Sequence, residues 1–151
     1  MLDQPAPAFE LPATGGTNFR LADAKGRTVV LYFYPKDNTP GCTTEGAQFR
    51  DLHAQFKKLG AVVAGVSRDS IRSHEGFREK MAFPFPLLSD ADEKLCALFD
   101  VIKMKNMYGK KVRGIERSTF LVGPDGKLVR EWRKVKVDGH AAEVLSALEL
   151  L

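Results

Sequence analysis

Apolar side chains recur along this chain in three ways, and each predicts a different element. Val29-Val30-Leu31-Tyr32-Phe33-Tyr34 is apolar at every position, the pattern of a strand covered on both faces in the middle of an α/β sheet. Ala61 to Ser67 repeats that character as a second short strand. Phe9-Glu10-Leu11 and Asn18-Phe19-Arg20-Leu21 alternate instead, around Thr14-Gly15-Gly16-Thr17, and predict a small hairpin. Phe49, Leu52, Phe56 and Leu59 recur at helical spacing, with Gly60 as the stop. Ser70 to Met81 reads as a helix with Ile71, Phe77 and Met81 partly on one face. Ala141 to Leu150 reads as another, striped by Val144, Leu145 and Leu148.

The remaining segments carry weaker signals. Arg117 to Val122 predicts a strand, Gly123-Pro124-Asp125-Gly126 a tight turn, and Lys127 to Trp132 the antiparallel partner. Phe83 to Leu88 is excluded as a regular central strand, because its prolines remove ladder donors. Asp90 to Asp100 predicts a short helix capped by Ser89 or Asp90 and carrying Cys96, and Lys103 to Gly114 is the least structured stretch. Strand, helix, strand, helix, then a strand pair and a last helix describe an open α/β sheet with helices on both sides. At 151 residues, the chain 1–151 is expected to form one domain with a sizeable core.

Composition narrows the class. With 44% hydrophobic and 28% charged residues the chain reads as soluble and globular, and no apolar run approaches a membrane span. Met1-Leu2-Asp3-Gln4-Pro5 lacks a basic region followed by an apolar core, so no secretory leader and a cytoplasmic location are expected. The net charge of +4 raises the question of nucleic acid. Lys103, Lys105, Lys110, Lys111 and Arg113 form one basic group, and Arg130, Arg133, Lys134 and Lys136 another beside Trp132, a candidate stacking ring. No nucleic-acid module accompanies them, and a solvated face is the favoured reading. His53, His74 and His140 lack partnered spacing and read as surface residues, with no metal site and no Cys–His dyad.

Chemistry converges on Tyr32 to Glu45, where strand, Gly/Pro turn and helix start meet at Cys42. Thr39 and Pro40 are helix-start residues, a hydroxyl cap followed by a ring that needs no amide partner. The free amides and partial positive charge of a helix start favour an anion, and thiolate is the nucleophilic form of sulfur. Gly41 lets another molecule approach the backbone closely. The competing reading packs Cys42 as a small hydrophobe. Two cysteines are too few for a disulfide scaffold, and a catalytic thiol suits a reducing compartment.

Pro35-x-x-x-Thr39-x-x-Cys42 resembles the peroxidatic signature of the peroxiredoxins, and Phe33 to Glu45 resembles their bacterioferritin-comigratory (peroxiredoxin Q) branch. The similarity continues through Phe85 to Asp90, Arg117 to Val122, Asp125 to Lys127 and Val135 to His140, from Pro7 to Leu148 in all. It implies a thioredoxin-like fold with an added N-terminal β-hairpin and a central mixed sheet flanked by helices. It also implies a cofactor-free thiol peroxidase that reduces hydrogen peroxide and organic hydroperoxides through a sulfenic acid at Cys42. Arg117 takes the place of the family's active-site arginine, the alternative being a surface ion pair with Glu116 or Glu131. Thr39 orients the peroxide, with helix capping as its other role, and Pro35 shapes the loop and shields the thiolate. Glu45, one turn into the helix, is read as holding a positive side chain in place.

Many members of that branch carry a resolving cysteine five residues after the peroxidatic one, and here Ala47 stands at that position. No cysteine occurs from Ser70 to Met81 either, so Cys96 is the one remaining candidate. Its apolar flanks, Leu95, Leu98 and Phe99, favour a buried structural thiol. A one-cysteine cycle follows, with thioredoxin, or glutaredoxin with glutathione, as reductant and a monomer or weak dimer as the assembly. The alternatives are a two-cysteine cycle resolved by Cys96, and a redox-inactive thioredoxin-fold binding or chaperone-like protein. A Cys-x-x-Cys disulfide reductase is disfavoured, since position 45 is glutamate.

Overall fold

The structure, a computed structural model, describes residues 2–151. Seven strands form one mixed sheet: β1 (Glu10–Ala13), β2 (Thr17–Arg20), β3 (Thr28–Phe33), β4 (Ala61–Ser67), β5 (Leu87–Ser89), β8 (Ser118–Val122) and β9 (Leu128–Trp132). Their order is β2-β1-β5-β4-β3-β8-β9. β3 runs parallel to β4 and antiparallel to β8. Among the described residues four α-helices accompany the sheet: α1 (Pro40–Lys58), α2 (Ile71–Met81), α3 (Lys94–Leu98) and α4 (His140–Glu149).

Alternation along the central strands divides the interior into two layers. Val30 and Tyr32 of β3, with Val63 of β4 and Leu121 of β8, face Phe49 and Phe56 of α1, Phe77 of α2 and Val144 and Leu148 of α4. Val29, Leu31 and Phe33 face the opposite way, toward Val66, Leu95, Cys96, Phe99 and Phe120. Every residue of β3 is buried, as its unbroken apolar run predicts. Gly60 ends the first helix at φ +77°, a conformation that glycine adopts without steric cost.

Three segments differ from the sequence reading. Lys103 to Gly114 is a regular hairpin, β6 (Ile102–Met107) paired with β7 (Lys110–Ile115). Tyr108 and Gly109 turn it at φ 52° and 77°, both positive as a two-residue hairpin loop requires. Its outward residues Met104, Met107, Tyr108 and Val112 are exposed, so burial leaves no periodic mark on the sequence. Leu87–Ser89 is a strand, lying between β1 and β4, although the prolines keep Phe83 to Pro86 out of the ladder. The Cys96 helix is confined to Lys94–Leu98 because the Asp90 carboxylate itself accepts from the Leu95 and Cys96 amides, at 3.1 and 2.7 Å. The intervening residues therefore form a turn that ends on Glu93 at φ 64°.

Candidate active site

β3 delivers the chain to a loop, Pro35 to Thr39, whose conformation sets where α1 begins. Asn38 adopts φ 63°, and Thr39 is extended at φ −84° and ψ 153°, so helical geometry starts at Pro40. The Thr39 hydroxyl does not cap the helix. It donates to the Lys36 carbonyl at 2.8 Å, which leaves the amides of Gly41 and Cys42 without a side-chain acceptor. Cys42 thus lies in the first turn, where unpaired amides concentrate positive potential, and is 2% exposed.

Arg117 directly precedes β8 and reaches back to that turn. Its Nη2 donates to Cys42 Sγ at 3.3 Å and its Nη1 to Glu45 Oε1 at 2.6 Å. Its ion-pair partner is therefore Glu45, rather than Glu116 or Glu131. The Arg117 carbonyl accepts from the Val135 amide at 3.0 Å, which fixes the backbone from which the guanidinium extends. Gly41 eases the approach, since a Cβ there would stand a tight 3.1 Å from Arg117 Nη2. Glu45 is completely buried. Burial raises its carboxyl from 4.5 to about 7 despite the opposing pull of Arg117. Among the described residues, its Oε2 and the hydroxyl of buried Tyr32 both lack a hydrogen-bond partner. Pro35 is half-buried just after β3, beside Lys36 and across a shallow cleft from Arg68 and Glu93.

Lys105 is a nearby group that the sequence reading missed. It projects from β6, donates to the Ile115 carbonyl, and is half-buried. Burial first, then the Arg117 guanidinium, lowers its ammonium below the ordinary lysine value. No spacing along the sequence links it to Cys42 or Arg117, which it meets only in the fold.

The two thiols lie on opposite sides of the sheet. Cys42 packs in the layer of Tyr32, Tyr34 and Phe49, and Cys96 in the layer of Phe33, Phe99 and Phe120. Both are free and buried. Burial, and then the neighbouring Asp90 carboxylate, push the Cys96 thiol far above its ordinary value, which leaves it protonated and unreactive. Ala47 is half-buried in α1.

Two of the histidines are core residues, which corrects the surface reading. His74 is 0% exposed and lies between Asp37 and the Leu88 carbonyl. His140 pairs with the Thr119 hydroxyl at 2.8 Å, and burial lowers it to about 4. Asp37, Asp69 and His74 bring potential ligand atoms within 4.8 Å of one another. Those atoms already bond to one another and to neighbouring hydroxyls and amides, so the cluster is a hydrogen-bonded network. Trp132 is engaged within the chain, its Nε1 donating to Glu143 at 2.9 Å and its ring covered by the Arg130 guanidinium.

Comparisons with known proteins give the family of the chain and its fold. Residues 2–131 match the AhpC/TSA family. The chain is 58% identical over 151 residues to Peroxiredoxin Bcp of Xanthomonas campestris pv. campestris, covering 99% of this chain and 94% of that protein. Over 148 residues it is 53% identical to Peroxiredoxin Bcp of Bacillus subtilis, covering 98% of this chain and 94% of that protein. A solved structure of the Xanthomonas campestris bacterioferritin comigratory protein, from work on its alkyl peroxide reduction activity, superposes with a TM-score of 0.92. It is 56% identical, with 99% of this chain and 97% of that chain covered. The mixed sheet and its flanking helices are therefore the thioredoxin-like fold of these proteins, with β1 and β2 as the N-terminal hairpin.

Proposed function

The chain belongs to the AhpC/TSA family and is a peroxiredoxin, a thiol peroxidase, and on that premise we propose that Cys42 is its peroxidatic residue in a one-cysteine cycle. The observation that carries the reading is the bidentate Arg117, which donates to the Cys42 sulfur with one nitrogen while Glu45 fixes the other. The Cys42 thiolate attacks one peroxide oxygen, the O–O bond breaks, and the departing oxygen leaves as alkoxide or hydroxide and takes up a proton. Sulfur is oxidised to sulfenic acid, and the peroxide is reduced to alcohol or water. Arg117, always charged and offering several directed donors, stabilises the charge growing on the departing oxygen. The Gly41 and Cys42 amides and the Thr39 hydroxyl position the peroxide, and Pro35 shapes the loop around it. Hydrogen peroxide and organic hydroperoxides are both substrates of such a site.

The reducing half of the cycle is assigned to an external thiol. Cys96 is protonated and lies across the sheet, so a bond to Cys42 would require the sheet to open. One thiol condenses with the sulfenic acid and releases water, and a second thiol displaces the mixed disulfide to regenerate Cys42. Thioredoxin, or glutaredoxin with glutathione, has the required chemistry. Two free cysteines suit a reducing cytoplasm. No helix among the described residues is long and apolar enough to cross a membrane. Seven strands drawn from Glu10 to Trp132 share one sheet, which supports a single domain over 1–151, and we read the assembly as a monomer or weak dimer.

Intact mass after one equivalent of hydrogen peroxide, under non-reducing conditions and with a sulfenic-acid trap in parallel, tests the reading. The expected product is a monomer that has gained one oxygen and takes up the trap at Cys42, with no reaction in Cys42→Ser. Loss of two hydrogens that depends on Cys96 would overturn the one-cysteine cycle, and an unchanged mass would overturn Cys42 as nucleophile.

A further inference from the structure

Among the described residues, the hydrogen bonds that tie the loop Pro35 to Thr39 to segments other than α1 run through Asp37. Its Oδ1 accepts from the Tyr34 hydroxyl at 2.6 Å, while its Oδ2 accepts from the Ser73 hydroxyl at 2.8 Å and faces His74 Nδ1 at 2.7 Å. The Asp37 amide donates to Asp69 Oδ2 at 2.9 Å, an oxygen that also accepts from the Ser67 hydroxyl at 2.6 Å. Beyond the ring, His74 Nε2 donates to the Leu88 carbonyl at 2.9 Å. With a carbonyl oxygen at one nitrogen and a carboxylate at the other, the ring is held by acceptors on both sides. Tyr34, Asp37 and His74 are 1%, 4% and 0% exposed, so solvent does not screen the pair. Cys42 follows Asp37 by five positions, and the loop that holds Asp37 sets where α1 begins.

The two halves of the cycle place opposite demands on that loop. Closed, it holds Cys42 against Arg117 in a pocket that admits a peroxide. A reducing thiol must bring its sulfur to within about 2 Å of a residue that is 2% exposed, and this requires the loop to yield. We propose that Asp37 and His74 are a latch that sets the balance between a closed loop, reactive toward peroxide, and an open loop that presents the Cys42 sulfenic acid to the reductant. Both are positioning residues, since neither touches the reacting atoms. The latch rests on the reading of Cys42 as the attacking thiol. Ser73 adds one hydroxyl bond to it, whereas the Asp37 carboxylate joins the buried ring, the Tyr34 hydroxyl and Ser73 at once. Loosening the latch raises the open population while the closed form still dominates. The reductive half therefore accelerates by a larger factor than the peroxide half slows.

The test compares wild type, Ser73→Ala and Asp37→Asn by quenched-flow intact mass for Cys42 oxidation and by dimedone labelling of the preformed sulfenic acid. Alkylation of Cys96 is followed in parallel. Labelling is expected to rise about fivefold in Ser73→Ala, the loss of one hydroxyl hydrogen bond. In Asp37→Asn, which removes the buried carboxylate that accepts these hydrogen bonds, it is expected to rise on the order of 100-fold. The oxidation rate should fall by less than either factor, and Cys96 should stay unlabelled in both variants. Unchanged labelling in a folded Ser73→Ala overturns the latch. So does a rise matched by Cys96 alkylation, which reports opening of the whole fold. A wild-type chain that gains no oxygen at Cys42 overturns the latch and the site reading together, whereas normal oxidation without altered labelling sinks the latch alone.

Discussion

Glu45 gives the site a stability signature that can be measured without turning the enzyme over. Burial holds its carboxyl at about 7 against an ordinary 4.5. Between those values the folded protein keeps a proton that the unfolded chain has released, so stability falls as pH rises through this window. Arg117 Nη1 at 2.6 Å opposes the effect, and desolvation still wins. At 1.36 kcal/mol per decade, the interval between 4.5 and 7 corresponds to about 3 kcal/mol of stability, present below pH 4.5 and lost above pH 7. Glu45→Gln preserves the shape and the acceptor for Arg117 but removes the titration. Urea unfolding of both reduced proteins from pH 4.5 to 8 should show wild type losing about 3 kcal/mol relative to the variant. Contributions from all other titrating groups cancel in that difference. Parallel curves would refute the reasoning. A difference of opposite sign would mean that the Arg117 ion pair outweighs desolvation.

Other substitutions probe separate parts of the geometry. Arg117→Met removes the donor to Cys42 and leaves the Glu45 carboxyl buried without its cation, so single-turnover oxidation of Cys42 should slow by about 100- to 1000-fold. Cys96→Ser should leave oxidation at Cys42 and the mass of its product unchanged while lowering stability by about 1–3 kcal/mol, as a hydroxyl replaces a buried thiol. Equal stability in a urea titration would contradict the packing described for α3. Gly46→Ala would place a Cβ 2.4 Å from Phe83 Cζ and 2.9 Å from Cε1, forcing α1 away from the ring. It should cost about 1–3 kcal/mol by thermal unfolding, and an unchanged midpoint would show that Phe83 moves freely.

What the sequence revealed followed physical scale. Val29 to Tyr34 and the Phe49-Leu52-Phe56-Leu59 stripe were legible because burial acts over the same few residues that define strand and helix periods. The β6–β7 hairpin escaped because several of its large side chains point to solvent, where no pattern is imposed. His74 and His140 escaped for a related reason: their partners, Asp37 and Thr119, lie 37 and 21 residues away in the chain. Spacing along the sequence cannot distinguish a paired core imidazole from one on the surface.

The site divides along the same line. A cysteine behind Thr39-Pro40-Gly41 is a local fact, and the free amides of the first helical turn follow from it. Arg117 is not local, for it lies 75 residues from Cys42 and 72 from Glu45. On residues alone its role and a surface ion pair were equally open readings, and resemblance to the peroxiredoxins separated them. The two kinds of information meet at Gly41 and Glu45. Gly41 leaves space for the guanidinium, and Glu45, one turn into α1, holds it at the correct height along the helix. Both belong to the local motif, yet each has a physical purpose only once a distant cation is present. A short motif around a nucleophile can therefore be read as the impression of its missing partner: a glycine where a Cβ would crowd the guanidinium, and a buried acid that would otherwise have no reason to be there.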